Sequence, residues 1–431
     1  MISRYTNERM AKIWSENYKF TTWLKVEIAV LKARKDLGEF KYNIPHVDKI
    51  KINSDEINRI EKEITKHDVV AFLEYISPQF PEELRPWLHR GLTSYDVVDT
   101  AQSLQLRESI NLIQDALTDL MEIVEAKALE NIHAVQIGRT HGIHAEPITF
   151  GVKLINWYAE LKRHKERLES LKIRVSVGKI SGAVGMYTLD PKVEVITCEK
   201  LGLKPIIATQ IISRDIIAEY MAVLGLIAGT VSKISVSMRL MAQTEIGEVM
   251  ESFSKDQKGS SAMPHKKNPI GWENLTGLMR IVCSNVQVSY GNLSDCWNER
   301  SLDNSGPERV ILPDSSALVE YGLKRLASIF RKMRVSKERM KENLELTKGL
   351  IFSQEVMMLV SEKSGLPRER AHTLVRDIAL ECWETKEDFY TALLRNEEIM
   401  KFINPDELHE CFDIEKKIRY TNQIFNQIII L

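Results

Sequence analysis

No proline interrupts this chain between Pro86 and Pro147, or again between Pro205 and Pro264. Segments that long admit helices well beyond the usual three or four turns. In the first, Leu106, Ile110, Ile113, Leu117, Leu120, Val124 and Ala128 recur at steps of three or four, forming one apolar stripe on a long helix. In the second, residues 214–251 read as a single helix, roughly 55 Å long at 1.5 Å per residue. Its middle, YMAVLGLIAGTVSKISVSMRLMAQ, is apolar on nearly every face, which requires burial inside a bundle. Residues 150–174, 271–297 and 308–333 supply further long helical segments.

The expected fold is therefore all-α, a three-domain helical protein. A small N-terminal domain covers 1–95, a central bundle of long helices 96–340, and a small C-terminal domain 341–431. In the first of these, one helix is expected to end at Gly38. Another should start at Asn53, with Glu56 three residues on as a capping box. Long helices leave apolar surface that a single chain does not cover, so the bundle is expected to assemble into a multi-subunit helical core.

The charge balance narrows the partners. With 59 basic and 60 acidic residues the net charge is −1, which argues against nucleic acid or an anionic membrane as the main partner. The five cysteines are far apart and include no CxxC pair, suggesting neither a disulfide framework nor a zinc knuckle. The N-terminus, MISRYTNERMAKIW, lacks the apolar core of a signal peptide. The most apolar stretch, residues 221–231, falls short of the roughly 20 residues a membrane span needs. A cytoplasmic protein in a reducing compartment is expected.

Four polar islands interrupt the helical background: TKHDVVAF, LHRGLTSYDVVDT, IGRTHGIHAEPITFG and KGSSAMPHKKNPIGWEN. Each has an ordinary structural reading. Thr93-Ser94-Tyr95-Asp96 before a helix is a capping sequence as readily as a ligand site. His141 and His144 suggest a metal pair, but Gly142 and Pro147 argue against a helix there and no carboxylate or cysteine cluster completes a site. No metal and no cofactor are expected. His67 and His89, taken alone, read as structural. The fourth island differs, because its Met-Pro-His-Lys-Lys-Asn-Pro order is too specific for a merely solvated loop.

The run from Gly259 to Asn268, GSSAMPHKKN, fits without a gap the pattern Gly-Ser-x-x-Met-x-x-Lys-x-Asn of the fumarase/aspartase/argininosuccinate lyase superfamily. GLTSYD and GRTHG resemble its two other motif regions, in the expected order. Within it, KHDVVAF, RTHGIHAEPITFG, PHKKNPI followed by EN, and ERSLDNSGPERVILPD resemble the adenylosuccinate lyases. The resemblance runs from Arg4-Tyr5 to about residue 315.

That resemblance implies elimination of fumarate from a succinylated purine nucleotide. The chemistry needs a base beside a carboxylate, stabilisation of the resulting aci-carboxylate, and an acid for the leaving group. By resemblance His141 is the acid, oriented by Glu273, and Ser260 is the base. The sequence leaves Ser261 open as an alternative base. A serine hydroxyl needs nearby cations and amide donors to act as one, and Lys266 with the loop backbone suits that need. Lys266 and Asn268 also suit the anion clamp, and Thr93, Ser94 and Thr140 can hold carboxylates through their hydroxyls. Arg4, Tyr5, Lys66, His67, Asp68, His89, Gln210, Arg300, Ser305 and Arg309 match the family's remaining substrate-binding positions. The resemblance further implies a homotetramer whose active sites are shared between subunits. The alternatives are another superfamily lyase, of the argininosuccinate lyase or muconate cycloisomerase kind, and a non-catalytic helical relative.

Overall fold

The computed structural model describes residues 2–253, 263 and 265–429. Five long helices dominate: Ser94–Glu130, Phe150–Val175, Asp215–Met241, Ile270–Ser294 and Ser305–Lys332. The stripe predicted on the first is the buried one, with all seven of its residues at most 1% exposed. The all-α reading holds, since the strands are few and short.

Two local readings need correction. The helix expected over 214–251 stops at Met241. The chain turns there through Gln243–Gly247, where the Gly247 N–H donates to the Gln243 carbonyl and Gly247 takes φ +63°. A short strand, Val249–Met250, follows and pairs antiparallel with Arg334–Val335. Lack of proline permits a long helix but does not compel one, and Gly247 shapes the turn that follows the helix rather than ending it. The apolar helix is also longer than residues 221–231 suggested. Asp215–Met241 is long and apolar enough, by length and composition, to cross a membrane, yet 56% of its most apolar stretch is buried within the chain.

The chain divides into two compact units. The first comprises Met1–Leu120, Leu161–Lys233 and Asn274–Leu326. Its N-terminal core is built around Phe20, Trp23 and Phe72, whose rings stack or meet edge to face at 5.1–6.0 Å. Helix Glu16–Asp36 gives way to Gly38 at φ +83°, as its sequence predicts. Asn53 caps helix Ser54–Ile60 by accepting from the Asp55 and Glu56 N–H groups. The Glu56 side chain pairs with Arg59 rather than completing the box.

The second unit comprises Met121–Glu160, Ile234–Glu273 and Ala327–Leu431. Its C-terminal helices close around Val356, Val360, Val375, Phe389, Leu393 and Leu408. It also holds a β-hairpin that helical periodicity did not announce, Val135–Thr140 against Ile143–Thr149. Ile137 on the first strand packs with Leu344, Ile351 and Phe352, which seats the hairpin on the C-terminal segment.

Candidate active site

In the first unit, eight of the residues singled out in the sequence line one cavity of about 690 Å³: Lys66, His67, Asp68, Ser94, Gln210, Arg300, Ser305 and Arg309. They come from four separated segments, and local structure delivers each. After helix Ser54–Ile60 the backbone loosens into a π turn, Glu61–Thr65, and stops at Lys66 with φ +55°. Such π turns recur at functional sites because they re-aim the residues that follow. Here those residues are Lys66, His67 and Asp68. Asp68 accepts a 2.8 Å hydrogen bond from Arg309, tying the first island to helix Ser305–Lys332.

Ser94 opens helix Ser94–Glu130 and lies 3.5 Å from His67 Nε2. The capping reading of Thr-Ser-x-Asp is realised, since the Asp96 carboxylate accepts the Thr93 N–H at 2.8 Å. That carboxylate is fully buried and also takes the Lys179 ammonium at 2.5 Å and the N–H groups of Ser181 and Gly182 at 3.2 Å. One turn on, Asp99 receives both terminal nitrogens of Arg214 at 2.9 Å, and Arg214 Nε lies 2.9 Å from Glu308. The Glu308 carboxyl lines the cavity. Burial raises its pKa, opposed by Arg214 and reinforced by Asp99. The Arg300 guanidinium lies over the Tyr95 ring, its central carbon 4.0 Å from the ring centroid.

The cavity wall is mixed in charge. Lys19 pairs with Glu16, Arg309 with Asp68, and Glu308 with Arg214. Among the described residues Lys66 and Arg300 have no carboxylate partner, and the lining acid Glu61 has no cationic one. Trp14, Trp23, Tyr95, Gln102 and Gln105 add aromatic and amide groups to the wall, and none of them was singled out from sequence. An aromatic or a glutamine on an amphipathic helix carries no signal of its own.

Four expected residues of this unit do not line the cavity. Arg4 is exposed. The Tyr5 ring meets Tyr321 edge-on at 5.4 Å, and its hydroxyl accepts from Asn274 at 3.4 Å. Thr93 holds the helix start. His89 sits at φ +52°, with its N–H and Nδ1 both on the buried Glu27 carboxylate at 3.1 and 2.7 Å. Burial alone would lower the His89 pKa, but the hydrogen bond and charge of Glu27, with Asp96, raise it overall.

The second unit carries the remaining candidates. Thr140 and His141 stand exposed at the tip of the hairpin, where Thr140 pairs with Ile143 and the two-residue turn is His141-Gly142. Both turn residues have positive φ, +55° and +80°, as a tight hairpin turn requires. Among the described residues the His141 side chain has no hydrogen-bond or ion-pair partner. Below the tip the strand bulges at Gly138, where an added Cβ would come within 2.8 Å of the Glu146 carbonyl oxygen. Arg139 then locks the hairpin by a two-pronged bond to Glu248, at 3.0 and 2.8 Å. Burial and the Arg139 charge lower the His144 pKa, against an opposing pull from Glu248.

Lys266 is exposed and its N–H donates to the Met263 carbonyl at 3.0 Å. Asn268 is half-buried just before helix Ile270–Ser294, and Glu273, in that helix's first turn, lies 3.9 Å from Arg239. Ser260 and Ser261 lie outside the described residues. Lys66, His89 and His141 are thus three of only seven non-glycine residues with positive φ among those described. Left-handed backbone at bulky residues is costly and gathers at functional sites.

The chain is similar to known proteins over nearly its whole length. A family model described as lyase matches residues 6–287, and one described as adenylosuccinate lyase C-terminus matches residues 349–428. The chain is 43% identical over 437 residues to an adenylosuccinate lyase of Bacillus subtilis (strain 168), covering 99% of each. It is 41% identical over 431 residues to one of Thermotoga maritima, again covering 99% of each. Among solved structures, a fumarate lyase from Mesorhizobium sp. BNC1 superposes with a TM-score of 0.88 at 25% identity, over 99% of both chains. A 3-carboxy-cis,cis-muconate lactonizing enzyme from Pseudomonas putida gives 0.86 at 27%, over 98% of this chain and 96% of that one. With full-length relatives at this identity and both family models satisfied, the chain belongs to the adenylosuccinate lyase family of the fumarate lyase superfamily.

Proposed function

We infer that this protein is a C–N lyase that cleaves adenylosuccinate to AMP and fumarate, and acts likewise on the succinylated aminoimidazole carboxamide ribotide of purine synthesis. The observation that carries this reading is the cavity of the first unit, where Lys66, His67, Asp68, Ser94, Gln210, Arg300, Ser305 and Arg309 converge. Its volume suits a mononucleotide-sized ligand. Arg300, Ser305 and Arg309 suit a phosphate, because guanidinium and hydroxyl donors match its oxygens. Arg4, Tyr5 and His89 would complete the substrate's surroundings.

In the chemical step Ser260 removes the proton beside a carboxylate, and Lys266 and Asn268 stabilise the negative charge that develops. His141, supported by Glu273, gives a proton to the departing nitrogen, while Thr93, Ser94 and Thr140 hold carboxylates. The exposed hairpin tip supports this role, since an unpartnered imidazole is free to meet substrate.

The active form would be a homotetramer with sites shared between subunits. Support comes from apolar residues exposed on the long helices, including Leu226, Val236 and Leu240 on one and Ile281, Val288 and Leu293 on another. Five free thiols favour a reducing, cytoplasmic setting. The C-terminal family match over 349–428 supports treating 341–431 as a domain of its own, beside 1–95 and 96–340.

The test is fumarate release followed by ultraviolet absorbance, using purified protein without added metal. Adenylosuccinate should be cleaved and argininosuccinate left intact. Cleavage of argininosuccinate alone would overturn the substrate assignment.

A further inference from the structure

We propose that Glu248 and Glu251, two buried carboxylates on one short segment, are positioning residues for the elimination. This rests on the functional reading above. Neither is placed against substrate. One holds Arg139, two residues before the acid His141, and the other holds the helix turn that carries Glu273, the support of that acid.

Glu248 is fully buried and both its oxygens are engaged, accepting from both terminal nitrogens of Arg139 and from the Asn343 amide at 2.9 Å. Its own carbonyl accepts the Ser336 N–H at 2.9 Å, so the residue is fixed from both ends. Arg139 is two residues before His141, and the bulge at Gly138 lies just below it. The ion pair therefore sets the height and rotation of the hairpin tip.

Three residues on, Glu251 is 7% exposed. Its carboxylate accepts the N–H groups of Gly271 and Trp272 at 3.1 and 2.8 Å. These N–H groups belong to the first turn of helix Ile270–Ser294, where the helix end also favours a negative charge. Glu273 is the next residue. The fit is close: a Cβ at Gly271 would fall 2.8 and 3.0 Å from the two Glu251 oxygens and 2.7 Å from Ile329 Cδ1. Glycine at 271 is thus what lets the carboxylate reach the helix end. Trp272, fully buried, anchors the same turn.

An acid is required at both positions. Glutamine offers one acceptor where the structure uses two, and turns a donor toward an N–H or a guanidinium. Proton transfer tolerates little displacement, since an error near 1 Å can cost about a hundredfold in rate.

Glu248→Gln, Glu251→Gln and Gly271→Ala should each lower kcat at least about tenfold while KM stays within about threefold, in protein that melts cooperatively and assembles like the parent. Loss of stability alone would instead reduce the active fraction and leave kcat per folded site unchanged. Should a glutamine variant fail to fold, Arg139→Lys and Gly271→Ala read the same two contacts with both carboxylates kept. A kcat per folded site within threefold of the parent in either of these, or in a folded glutamine variant, overturns the proposal. A parent protein that releases no fumarate would overturn the functional reading instead.

Discussion

Replacing Lys179 with methionine removes one charge from a pair that is 0% exposed on both sides. The Asp96 carboxylate left behind keeps three donors, the N–H groups of Thr93, Ser181 and Gly182. Breaking a buried ion pair from one side costs about 3–5 kcal/mol, because a charge is stranded without its partner. Those three N–H groups place this case near the lower end, at about 3 kcal/mol. For a unit of some 150–250 residues, 1 kcal/mol moves the midpoint by about 2–4 °C, so a fall of about 6–12 °C is expected. Calorimetry or dye-based melting reads this, at fixed protein concentration because assembly contributes to the midpoint. The double variant Asp96→Asn/Lys179→Met strands no charge and should regain at least half of the loss. A fall below about 2 °C in the single variant, or strictly additive losses in the double, would refute the argument that burial makes this pair costly to split.

The Glu27–His89 pair should show in the pH dependence of stability. Its folded pKa is raised, so the pair's contribution is fully present below the unfolded imidazole value and lost as pH rises through the folded one. The melting difference between parent and Glu27→Gln should accordingly be larger near about pH 6 than near about pH 9, and the reverse order would contradict the assignment. Arg300→Met should raise KM for adenylosuccinate by roughly 10- to 100-fold, the range for losing a hydrogen bond to a charged group, with a smaller effect on kcat. Equal KM values would remove Arg300 from the substrate's surroundings. Finally, His141→Ala and Ser260→Ala chains, each nearly inactive alone, should recover towards about a quarter of the parent's activity when denatured and refolded together, by random symmetric assembly. Hybrid tetramers, shown by mass, that stay inactive would mean both groups come from one chain.

The helices were legible because burial writes a period into the sequence. The stripe from Leu106 to Ala128 is buried, and segments read over 150–174, 271–297 and 308–333 appear as Phe150–Val175, Ile270–Ser294 and Ser305–Lys332. The hairpin was not legible, although its turn was half written. Gly142 was seen as a helix breaker, while the positive φ at His141 had no glycine to announce it. The buried ion pairs were out of reach for another reason. Asp96 and Lys179 are 83 residues apart, and Asp99 and Arg214 are 115 apart, so in sequence each charge looks like part of a solvated face. Resemblance to the family named the polar residues of the cavity, but only the fold gathered eight of them and showed the aromatic and amide groups between them.

The hairpin constrains how this chain can drift. Side chains along a strand alternate faces, so one inserted residue in Val135–Thr140 would turn its whole inner row outward. Removing a residue from each strand would shorten the reach of the tip by about 3.3 Å. A helix tolerates an exchanged surface residue and a loop tolerates an added one, but this hairpin tolerates a change of length in neither arm. Substitutions should therefore accumulate along its exposed face, while insertions and deletions between residues 135 and 149 should be eliminated wherever activity is selected.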